Sequence, residues 1–73
     1  GESFTSLEKA ARGLRRRGFT GQTAGDILSC VAGMAGRRMP AAFENLPSVV
    51  ATMKPVDNQM QIPIIAAKCI ATL

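Results

Sequence analysis

The sequence predicts an all-α fold, a compact bundle of about four short helices. Three observations carry this. Capping patterns and helix-ending glycines recur along the chain. Apolar residues return at the three- and four-residue spacing of a helix face. No pair of period-two apolar runs is joined by an Asn-Gly or Asp-Gly turn. The composition, 47% hydrophobic and 19% charged over 73 residues, is that of a folding chain rather than a disordered one. Residues 1–73 are read as a single small helical domain. Because the first residue is Gly rather than Met, a piece of a larger chain is the alternative.

The first helix starts from Thr5-Ser6-Leu7-Glu8, which reads as a capping box. Leu7, Ala10, Ala11 and Leu14 form its apolar face, Lys9, Arg12 and Arg16 project opposite, and Arg15 and Arg17 flank. Gly18 ends it, since glycine enters the left-handed region freely. Thr23-Ala24-Gly25-Asp26 is a second capping pattern. Ala24, Ile27, Val31 and Met34 then make a stripe, widened by Leu28 and Cys30, and Phe19 staples the turn before it. Gly36 is the stop, followed by Arg37 and Arg38.

Pro40 opens a third helix with Phe43, Leu46, Val50 and Met53 on its stripe, and Lys54-Pro55 ends it. Pro47 is expected to interrupt it, leaving a short turn and a restart near Leu46. Asp57 is expected to cap a fourth helix that runs to about Thr72 and bends near Pro63. The two helix pairs, 6–36 and 40–72, have the layout of two stacked helical hairpins, although their sequences share almost nothing.

The fourth helix is apolar nearly all round, with Lys68 and Gln61 as its clearly polar residues. A helix of that kind is buried on more than one side. Three readings stay open. It is central to the bundle, or "QIPII" forms a strand instead, or one face, carrying Ile62, Ile65, Cys69 and Leu73, meets a partner, a second copy or a neighbouring part of a longer chain. The apolar run Ile62–Leu73 is too short to span a bilayer and contains Lys68.

Catalysis has little to work with. The chain has no His and no Tyr, so Ser-His and Cys-His nucleophile pairs cannot form within it. The carboxylates of Glu2, Glu8, Asp26, Glu44 and Asp57 fall near expected helix starts, where they favour the macrodipole. Neither a zinc-ligand spacing nor a phosphate-binding glycine loop is present, so no metal, cofactor or small-molecule substrate is expected. Cys30 and Cys69 are read as free, buried thiols, which fits a reducing compartment better than secretion.

Charge is the informative property. Lys9, Arg12, Arg15, Arg16, Arg17, Arg37 and Arg38 stand against Glu2, Glu8 and Asp26 before residue 39, so the whole formal charge of +4 lies there. That asymmetry points to an acidic partner: nucleic acid, an anionic surface or an acidic protein. Arginine forks match phosphate oxygens, and Lys9, Arg12 and Arg16 share one helical side. Within "AARGLRRRGFTGQTAGDI", residues Ala10, Ala11, Leu14, Gly18, Phe19, Thr23, Asp26 and Ile27 resemble the opening of a tetracycline-repressor-type DNA-binding domain. The resemblance implies a short second helix, an Ala-Gly turn and a recognition helix. The chain departs from that pattern after Ile27, with one residue too many before its Ala-Gly and Pro40 where recognition would start. Two functions follow as expectations. One is a basic, non-catalytic module that contacts nucleic acid through these seven cations. The other is a protein-interaction domain or small subunit that docks through the arginine face or the C-terminal helix.

Overall fold

The computed structural model describes the backbone of residues 2–55 and 58–73, with side chains from Ser6 onward. Among the described residues four α-helices follow one another: α1 (Glu2–Arg16), α2 (Gly21–Ala35), α3 (Met39–Val50) and α4 (Gln61–Ala71), with a 3-10 turn, Gly36–Arg38, between α2 and α3. No strand occurs among the described residues. The all-α expectation holds.

The start of α1 differs from the expectation. The helix begins at Glu2, so Thr5 lies inside it rather than capping it. Glu2-Ser3-Phe4 contains neither Gly nor Pro, and nothing in it stops helical backbone. The end of α1 is the one the sequence announces. Gly18 has φ +105°. Its N–H donates to the Arg15 carbonyl at 3.0 Å, and the Phe19 N–H reaches back to the Leu14 carbonyl at 3.1 Å. These two bonds make a Schellman motif, with Leu14 and Phe19 both buried beneath it.

The cap of α2 is Thr20, one turn earlier than the Thr23 expected. Its hydroxyl oxygen accepts the Thr23 N–H at 3.2 Å, which satisfies one of the orphan donors of the first turn. Thr23 is thereby the third helical residue, and it is buried. The stripe of α2 is Ala24, Ile27, Leu28, Val31 and Ala35. Met34 stands outside it, 50% exposed, because the stripe closes through Leu28, Val31 and Ala35, in steps of four, three and four from Ala24, rather than through the step of three from Val31 that would reach Met34.

Pro47 does not break α3. The helix is continuous through it. The ring removes one backbone donor, but Phe43, Leu46 and Val50, on either side, are all buried and fix the helix to the core. The helix ends at Val50, with Pro40 in its first turn. Asp57 lies outside the described residues. The chain enters α4 through Asn58, whose side-chain oxygen accepts the Met60 N–H at 3.0 Å. Since α4 begins at Gln61, Pro63 falls in the first turn, where a missing donor costs nothing.

α1 lies along α3, and α2 along α4. One apolar cluster draws on all four helices, with Leu14, Ile27, Val31, Leu46, Val50, Ile65 and Cys69 at its centre. This arrangement corrects the docking face read from α4. Ile62, Ile65 and Cys69 point inward at 8%, 1% and 0% exposure. They occupy the side that α4 packs on α2, so they are core, and Leu73 alone of the four stays accessible. The side of α4 that faces water carries Ile64, Ala67 and Lys68 instead. Asn45 of α3 ties down the end of α4, donating to the Cys69 carbonyl at 2.9 Å and the Thr72 hydroxyl at 3.1 Å.

Candidate functional site

The cations of α1, with Arg17 just beyond its end, divide into three groups once the helix is packed. Lys9 and Arg16 stand on the rim of a groove between α1 and α3, with a volume of about 490 Å3. Its floor is apolar and includes Ala10, Leu14, Phe43, Leu46 and Val50. Arg12 and Arg15 are exposed on α1 away from that groove. Arg17 borders the groove but is also structural. Its Nη2 donates to the Ala51 carbonyl at 2.7 Å. Ala51 is the C-cap of α3, so a fixed cation sits where the helix end concentrates negative potential. The contact also joins the C-terminal ends of α1 and α3, which therefore run side by side in the same direction.

Arg37 and Arg38 are exposed in the 3-10 turn that precedes α3. Arg17 marks the far end of the same helix. At 1.5 Å per residue the two groups stand roughly 18 Å apart along α3. The seven expected site residues therefore form no single cluster. Five lie along or just beyond α1, and two stand at the opposite end of α3.

The groove itself was not read from the sequence, yet it left a signal there. Gly13 lies in the middle of α1 and lines the groove. A Cβ at that position would meet nothing within 4 Å. Glycine in a helix interior costs about 0.5–1 kcal/mol relative to alanine, and no neighbour here requires it. With Lys9 and Arg16 it makes a polar and glycine stripe on one side of the helix. Glu44 is the acidic residue on the opposite wall.

Neither cysteine is in a disulfide. Burial pushes the Cys69 thiol up to about 11 from its ordinary value of 9.0, as desolvation disfavours the thiolate. Cys30 is half-buried, not fully buried as expected, and its Sγ lies 3.9 Å from the Met34 Sδ. Among the described residues no group of three or more His, Cys, Asp or Glu could hold a metal ion, and no helix is long and apolar enough to cross a membrane. The uninterrupted α2 also leaves no turn where the tetracycline-repressor resemblance implies one. Compared with protein-family models, with curated proteins and with solved structures, the chain finds no match.

Proposed function

We propose that this chain is a small, basic, non-catalytic binding module, built as two stacked helical hairpins, that associates with nucleic acid through α1. The observation that carries this reading is the exposure of Lys9, Arg12, Arg15 and Arg16 on a single helix. Exposed guanidinium forks can bond phosphate oxygens in pairs, and they lose little hydration in doing so. Arg37 and Arg38 supply a second contact further along the same backbone. Phe43 is the aromatic residue of the groove and is only 2% exposed. It offers no face for base stacking, so recognition rests on phosphates rather than bases.

The test is binding of mixed-sequence DNA and RNA oligonucleotides, followed by fluorescence anisotropy over a salt series. Affinity should fall steeply as salt rises, because each phosphate contact releases counterions. The double variant R12E/R16E should abolish binding with helicity retained. No binding of either nucleic acid at low salt overturns the reading.

The apolar floor of the groove favours a second reading, an acidic protein segment held between Lys9 and Arg16. Salt-sensitive binding to acidic helical peptides, with none to nucleic acid, would select it.

A further inference from the structure

We infer that the hollow between α1 and α2 is a docking site for the α3–α4 hairpin of a second copy of this chain, so that copies associate head to tail. The argument starts from the register of the two hairpins. Ala10 and Leu14 of α1 stand 36 residues before Leu46 and Val50 of α3, and all four are buried. Ala24, Ile27, Leu28 and Val31 of α2 stand 38 residues before Ile62, Ile65, Ala66 and Cys69 of α4, and all eight are buried. The second hairpin thus repeats the burial pattern of the first, with the two extra residues taken up in its longer connection. α1 and α3 run in one direction as neighbours, and α2 neighbours α4. Repeated hairpins stacked by translation leave a used face and an unused copy of that face at opposite ends.

The unused face is visible. Phe43, Glu44 and Pro47 are positions by which α3 borders α1. Their equivalents in α1 are Leu7, Glu8 and Ala11, and these line a hollow of about 580 Å3 together with Leu28, Ser29, Ala32 and Met39. Leu7, Ala11, Ala32 and Met39 are only partly buried, packed against the edge of the core. Glu8 is the charged residue of the lining. The side that α1 turns to α3 includes Gly13 and Arg16, whose equivalents are Val49 in α3 and Thr52 in the turn just beyond its end. Val49 is partly buried and Thr52 exposed. The C-terminal end of α3 in a second copy would therefore lay Val49, and Thr52 just after it, over Leu7 and Ala11. This continues the α1–α3 interface from one molecule to the next. The contact joins two different surfaces, so it does not close on itself at a dimer. It uses neither Lys9 nor Arg12 nor Arg16, and it stands or falls apart from nucleic-acid binding.

Sedimentation velocity of the whole chain, from micromolar to millimolar concentration, tests this. The average mass should climb with concentration and pass that of a dimer. Ser29→Arg fills the hollow from an exposed position, and Thr52→Arg blocks the complementary surface, also from an exposed position. Each should weaken association more than tenfold, with far-UV circular dichroism unchanged. An equimolar mixture of the two variants should form a one-to-one dimer that grows no further, because one intact surface remains on each. Val49→Arg is a stronger block of the same surface, read in the same way if it keeps its helicity. A wild-type chain that stays monomeric overturns the proposal. So does an assembly that stops at two copies, or one that Ser29→Arg leaves untouched.

Discussion

Gly13 and Gly18 belong to one helix and its terminus, yet opposite outcomes are expected for the same substitution. Gly18 holds φ +105°, and a Cβ there would stand 3.1 Å from the Pro55 Cγ. Gly18→Ala is therefore strained by the backbone and crowded by a ring. It should lower stability by about 1–2 kcal/mol in urea denaturation. Gly13→Ala meets open space and should raise stability by about 0.5–1 kcal/mol. If the groove takes an acidic protein segment, the same change should weaken binding while strengthening the fold, a split that a purely structural glycine would not give. The Cys69 thiol makes a third prediction at this scale. Its folded value, about 11, lies above the ordinary 9.0, so the unfolded chain loses the proton first. The stabilisation is whole below pH 9 and is lost as pH rises through 11. Thermal melts across that window should fall more steeply for the native chain than for Cys69→Ala.

At the scale of elements, α3 separates what the sequence declares from what tertiary packing decides. Of its expected stripe, Phe43, Leu46 and Val50 are buried, while Met53 falls beyond the end of the helix and is only partly buried. Its continuity was not legible, because Pro47 signals a break and the signal is local. The helix persists since one lost backbone bond costs less than exposing the residues that flank it. Pro47 is itself exposed, so Pro47→Ala restores the missing donor without disturbing the core. It should raise stability by roughly 1–3 kcal/mol in chemical denaturation, and an unchanged midpoint would mean that the helix had already absorbed the cost. The other discrepancies have the same character. Thr20 and Thr23 both suit a cap, and only the placement of Phe19 beneath the Schellman turn chooses between them. The apolar wrap of α4 showed that it would be buried on more than one side, but which side faces α2 depends on a neighbour that periodicity cannot name. The cations of α1 were legible as a surface. That Arg17 would serve the end of α3 was not, because the bond spans 34 residues of sequence.

At the scale of the whole molecule, the two halves of the chain depend on each other. Ala10 and Leu14 are buried where α1 lies along α3, and Ala24, Ile27 and Val31 where α2 lies along α4. Leu46, Val50, Ile65 and Cys69 of α3 and α4 are buried in the same cluster. The packing of α1 on α2, and of α3 on α4, is smaller than that between the halves, since the largest contacts pair α2 with α4 and α1 with α3. Chains below about 40 residues seldom bury enough apolar surface to fold unaided. Separate peptides covering 1–38 and 39–73 should therefore each show little helix in water. Mixed at equal concentration they should regain helicity together, with a midpoint that rises with concentration, because association supplies the missing face to both. The Arg17 bond to Ala51 and the Asn45 bonds to α4 set the expected order of damage in that mixture. Arg17→Ala removes a contact between the peptides and should weaken recombination. Asn45→Ala removes contacts within the second peptide and should loosen the end of α4 first, read as faster amide exchange near Thr72. A first peptide that is fully helical alone would show that α1 and α2 suffice for each other, and the stacked pair would then be two independent units rather than one.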